Sequence, residues 1–147
     1  MRRYRYVGPK DLLTLVTASR GDAVDAKRAG TFTFVVTTDG VLRVAPRHSE
    51  HVVCAAGGEV LSAGEIRIER GRVVSVSNQS TGYCPEPESW PAVAAALDRA
   101  GIVHDGAFTD EMIFRRCTEC GQRNIVKEGD FTCAVCGASL PKNWNFA

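Results

Sequence analysis

The chain has 147 residues, of which 44% are hydrophobic and 24% charged, and its formal net charge is +1. These are ordinary values for a globular protein, with length for one compact domain and a small appendage. They exclude a global field that would recruit nucleic acid or a membrane surface. No apolar stretch is long enough for a signal peptide or a membrane span, so a cytoplasmic location without a membrane partner is the expectation.

The N-terminus, Met1-Arg2-Arg3-Tyr4-Arg5, is basic. Residues 9–19 read as a helix, because Pro9 suits a first turn and Leu12, Leu13, Leu15 and Val16 make an apolar stripe. Arg20-Gly21-Asp22 breaks it, and residues 22–30 are polar, with room for a short helical turn. Alternation from Thr31 to Thr37 predicts a strand, Asp39-Gly40 a hairpin turn and Val41 to Val44 the return strand. His51 to Cys54 reads as a middle strand. Ile66 to Glu69 and Val73 to Val76 read as a second hairpin around Arg70-Gly71. About five strands at short spacing predict an antiparallel meander rather than a βαβ sheet.

Asn78 to Pro87 is a loop rich in turn formers. Ser89 then caps a helix, with Pro91 in its first turn, Gly101 past its end and Trp90, Val93, Ala94 and Leu97 on its buried face. Beyond a linker, Glu111 to Arg116 and Asn124 to Lys127 read as two short strands, and Phe131-Thr132 leads onward.

Those last strands frame the strongest motif in the chain. Cys117-Thr-Glu-Cys120 and Cys133-Ala-Val-Cys136 are two Cys-x2-Cys pairs, each followed by glycine, Gly121 and Gly137. The spacing lets one tight turn aim two thiolates at one ion. Four thiolates suit tetrahedral Zn²⁺, although soft sulfur also accepts iron. Four protein ligands close the coordination sphere, so the expected metal is structural. The segment resembles the zinc-ribbon family, both of whose Cys-x-x-Cys-Gly knuckles it matches. Metal would supply folding free energy that so short a segment lacks on its own. Cys54 and Cys84 are left over and read as free, packed thiols or as a disulfide pair.

Ribbons often bind nucleic acid, and Arg115, Arg116 and Arg123 could contact phosphate, with Phe114 as a stacking surface. From residue 113 on, however, five cations against three carboxylates leave +2, and four thiolates on a divalent ion contribute −2. A near-neutral ribbon points to a solvated face or to a protein partner. The tail aromatics Trp144 and Phe146 either fold back onto the core or meet a partner.

The middle of the chain gathers polar groups that admit several chemistries. His48, His51 and Cys54 recur every third residue, but a strand would point them to opposite faces. His48-Ser49-Glu50 matches half of the zinc-deaminase signature and lacks its Pro-Cys-x-x-Cys partner. Metal-free catalysis would use His48 as base, Glu65 as acid or orienting group, and Ser80 or Tyr83 as donor. The plainest account is that His48, Ser49, Asn78 and Ser80 satisfy backbone groups where strands meet loops.

The run His48-Ser49, Ala56-Gly57-Gly58, Ser62-Ala63-Gly64-Glu65, Gly71 and Asn78 to Pro85 resembles a module of plant IQ-motif proteins and of related fungal and bacterial chains, some toxin-like. Thr81-Gly82-Tyr83 stands where that pattern has Gly-His-Tyr, and no IQ helix is present. The resemblance implies a β-rich fold with a polar pocket near His48, Glu65 and Tyr83, and no particular reaction.

The expected fold class is α+β: a small antiparallel sheet with two helices over residues 1–108, then a zinc ribbon over 111–147. The expected function is zinc binding, with the ribbon as a structural and interaction module for a protein. The alternatives are nucleic-acid contact through Arg115, Arg116 and Arg123, or a metal-independent, nuclease- or transferase-like enzyme with His48, Glu65, Ser80 and Tyr83 lining a cleft. The only cofactor expected is Zn²⁺ on Cys117, Cys120, Cys133 and Cys136.

Overall fold

Two tight hairpins organise the main sheet. The computed structural model describes residues 1–147. In it β1 (Asp22–Ala23), β2 (Gly30–Thr37), β3 (Leu42–Pro46), β4 (Val60–Glu69) and β5 (Arg72–Val76) form an antiparallel sheet in the order β1-β3-β2-β4-β5. Its helices are α1 (His51–Cys54) and α2 (Trp90–Ala100), with 3₁₀ turns at Lys10–Leu15 and Pro87–Ser89. A separate antiparallel pair, β6 (Ile113–Arg116) and β7 (Arg123–Val126), lies near the C-terminus. The fold class is α+β.

The hairpin turns fall where the sequence puts them. Glu69 pairs with Arg72, and the two residues between, Arg70 and Gly71, have φ of 52° and 73°. A two-residue loop with both φ positive matches the right-handed twist of its strands. Asp39-Gly40 turns β2 into β3, with Gly40 at φ 80°.

β2 is the central strand and is covered on both faces, so its Phe32 to Val36 run is buried throughout, Thr33 included, rather than on alternate residues. Phe32, Phe34 and Val36 face Leu42, Val44, Ile66 and Ile68 and the α2 residues Val93, Ala96 and Leu97. Val35 faces the other way, into Tyr4, Val52, Cys54, Val60, Ala63 and Tyr83. Each such large side chain contributes about 1.5–3 kcal/mol on burial.

Four local expectations change. His51–Cys54 is one turn of α-helix, not a strand. Cys54 N–H donates to Glu50 O and Ala55 N–H to His51 O, and Ala56 and Gly57, both at positive φ, stop the turn. That conformation puts Val52, Cys54 and Ala55 together against the sheet. The N-terminal helix shrinks to the 3₁₀ turn Lys10–Leu15, in which Leu13 and Leu15 stay exposed. Residues 22–23 form a short edge strand instead of a helical turn. Ser89 makes no capping bond: its hydroxyl donates to Glu86 O and accepts from Ser62. Gly101, at φ 75°, does end α2.

Candidate metal centre

The two Cys-x2-Cys turns match bond for bond. Cys117 N–H donates to Gln122 O and Gly121 N–H returns to Cys117 O; Cys133 N–H donates to Ala138 O and Gly137 N–H returns to Cys133 O. The returning glycines sit at φ 80° and 78°, and a Cβ on either would meet no atom. Backbone conformation, not space, therefore calls for glycine there. β6 delivers Cys117 and the β6–β7 turn delivers Cys120, while Phe131-Thr132 carries the chain to the second turn.

The turns face each other, and all four sulfurs lie within 4.8 Å of one another. Cys117 Sγ is 3.6 Å from Cys136 Sγ, and Cys120 Sγ is 3.6 Å from Cys133 Sγ. A tetrahedron with Zn–S bonds of about 2.3 Å has edges of about 3.8 Å. The sulfurs thus stand where a thiolate-bound ion needs them. Cys117 and Cys133 are buried against Val126 and Leu140, and Cys120 and Cys136 are exposed.

Ionisation is uneven across the set. The amides of Cys120 and Glu119 hold the Cys117 thiol below its ordinary range, and those of Cys136 and Val135 bring Cys133 down to about 6. The Gln122 amide acts the same way on Cys120, but partial desolvation and hydrogen bonding with the neighbouring thiols outweigh it and push Cys120 up to about 12. Cys136 is raised as well: the Ala138 amide favours its thiolate, but hydrogen bonding with Cys117 leads the opposing effects. Four thiolates this close repel one another, and a divalent cation between them removes that cost.

Asn124 braces both turns, a role that a polar residue in a short strand does not announce. It is 5% exposed. Its amide donates to Gln122 O at 3.0 Å and to Cys133 Sγ at 3.5 Å, and its Oδ1 accepts the Ala134 N–H at 2.9 Å.

No family model, curated protein or solved structure matches this chain. The resemblances noted in the sequence therefore gain no support from relatives, and the site rests on its own geometry.

The three arginines beside the centre bond to the chain's own carbonyl groups. Arg115 donates to Phe114 O, Pro141 O and Lys142 O. Arg116 donates to Gly121 O and stacks over Phe146, and Arg123 donates to Thr81 O.

The other candidate residues differ in exposure. His48 is exposed at φ 69°, in the loop before α1, and Glu65 is exposed on β4. Ser80 and Tyr83 are buried; Ser80 Oγ accepts the Tyr83 N–H, and Tyr83 Oη donates to Gly58 O at 2.7 Å. Neither His48 nor Glu65 bonds to that pair through its side chain, and the cleft that Glu65 lines holds none of the other three. The histidine that reaches the sheet is His51, whose Nε2–H donates to Gly64 O at 2.8 Å. Cys54 and Cys84 are free and lie in different clusters.

Proposed function

We propose that Cys117, Cys120, Cys133 and Cys136 bind one structural Zn²⁺ and that residues 111–147 form a zinc ribbon carried by an α+β unit of residues 1–108. The convergence of four sulfurs on one tetrahedral position carries this reading. With four protein ligands no coordination position is open, so the ion supplies shape rather than chemistry. Reduced thiols at all six positions suit a reducing compartment such as the cytoplasm. No helix is long and apolar enough to cross a membrane.

The ribbon then serves as a docking module for a protein. Val135, at the tip of the second turn, is 68% exposed, and the arginines that would hold phosphate are spent on main-chain carbonyl groups. No catalytic role is assigned to His48, Glu65, Ser80 or Tyr83.

Elemental analysis of the purified chain tests the metal directly. One zinc per chain, lost in Cys117→Ser, is the expected result. Cobalt substitution should give the strong thiolate-to-metal absorption of a four-sulfur site. A metal-free chain that is folded throughout would sink the proposal.

A further inference from the structure

The thiol of Cys84 belongs to the first part of the chain, yet the last part covers it. It is fully buried, and it clusters with Phe114, Phe146, Met112, Ile125 and Trp144, with only Val7 joining from the N-terminal side. Cys54 is equally buried but sits in the main sheet's own core, among Val35, Val52, Val60 and Ala63.

The cover is tied back to the metal centre. Leu140 packs with Cys117 and Cys133, and its N–H donates to Phe131 O. From there the tail crosses β6, held by Arg115 to Pro141 O and Lys142 O. Asn145 then clasps Arg116, the residue before the first ligand: its Oδ1 accepts the Arg116 N–H and its Nδ2 donates to Arg116 O, both at 2.8 Å. Trp144 and Phe146 flank that clasp and reach the body, where Trp144 Nε1–H donates to Cys84 O. Apart from the ligands, the cluster around the four sulfurs holds only Val126 and Leu140 as buried apolar residues. Without an ion so small a core does not hold a fold, and the tail loses its anchor.

The geometry points to a metal-controlled latch: the ion seats Trp144 to Phe146 on the body, and its removal bares Cys84 and the aromatic surface around it. This inference rests on the metal reading above. Burial pushes the Cys84 thiol up to about 12, where it is inert. An uncovered cysteine returns toward about 8.5 and becomes a usable nucleophile at neutral pH.

The test is a brief pulse of N-ethylmaleimide on the full chain, zinc-loaded or treated with a strong chelator, with labelling read at each cysteine by mass spectrometry. Chelation should speed labelling of Cys84 by about tenfold or more while Cys54 keeps its protection. Phe146→Ala, with its zinc still bound, should also expose Cys84 and spare Cys54. If Cys84 stays protected after metal loss, or Cys54 and Cys84 open together at one rate, the latch is overturned. A chain that retains no zinc overturns the latch together with the metal reading. One retained zinc with an indifferent Cys84 overturns the latch alone.

Discussion

The indole N–H of Trp144 donates to the carbonyl oxygen of Cys84 at 2.7 Å, across sixty positions of sequence. Tyr4 meets the same ring edge-on at 5.5 Å, and the Arg2 guanidinium lies 4.5 Å above it. The tail aromatics therefore fold back rather than stand free. One indole joins the first residues, the central loop and the four-cysteine end. What looks in sequence like an appendage is fastened to the rest at both of its own ends.

Asn124 should matter to the metal without touching it. Its amide holds Cys133 Sγ and its carbonyl oxygen holds the Ala134 N–H, fixing the second turn against the first. Asn124→Leu should weaken zinc binding by about 10–100-fold while leaving the stoichiometry at saturation unchanged, the usual effect of losing a partner of a metal ligand. Competition with a zinc-sensitive dye measures it. An affinity equal to that of the unaltered chain would remove Asn124 from the site.

Asn78 does the corresponding work at the junction. Its Nδ2 donates to Pro85 O and Met112 O, and its Oδ1 accepts the Met112 N–H at 2.6 Å. The residue is fully buried, so Asn78→Ala strands three backbone groups away from water. The expected loss is about 2–4 kcal/mol in urea unfolding of the zinc-loaded chain. A change below about 0.5 kcal/mol, the range of ordinary surface substitutions, would show that water replaces the side chain.

The parts of this architecture legible in sequence are those written in short range. Two Cys-x2-Cys-Gly turns, Asp39-Gly40, Arg70-Gly71 and the Ser89 to Gly101 helix each carry their signal within a dozen residues. α1 was opaque because four residues cannot separate a 3.6-residue period from alternation, and Val52-Val53 favours the strand by propensity. Burial of one face against β2 decided it instead. The role of Asn124 and the particular partners of Asn78 and Trp144 were opaque for a different reason. Each bonds to partners fixed only once the chain has closed on itself. The same holds for Tyr83, whose hydroxyl serves Gly58 O in a packed core, whereas Asn78 and Ser80 satisfy backbone groups as their place between strand and loop implies.

Gly64 is required by space rather than by backbone angle. It lies on β4 opposite Phe34, and a Cβ built there would overlap the carbonyl oxygen of Ser77. Backbone cannot yield as a flexible side chain does. Gly64→Ala should therefore separate β4 from β5 locally and cost about 3 kcal/mol, the upper range of overpacking. Thermal unfolding reads this directly. A melting temperature within a degree of the parent would mean that the strands are looser than described.

His51 should make stability depend on pH. Burial holds its pKa below the ordinary histidine value; the bond to Gly64 O and the carboxylates of Glu65 and Glu50 oppose that shift without cancelling it. Because a carbonyl oxygen only accepts, the folded ring carries a proton on Nε2, and burial disfavours a second proton on Nδ1. In the unfolded chain the ring titrates near about 6.5. Above that value both states are neutral and the contribution to stability is complete. As pH falls below it, the unfolded state takes up a proton that the folded state refuses, and stability drops until the folded pKa is passed. His51→Gln keeps a donor in reach of Gly64 O and cannot titrate. The difference in unfolding free energy between the two proteins should therefore be flat above about pH 7 and move in favour of the variant toward pH 5. Ion release in acid acts on both chains alike and cancels in that difference. Curves that stay parallel across the whole range would mean that the His51 ring is not shielded from water in solution.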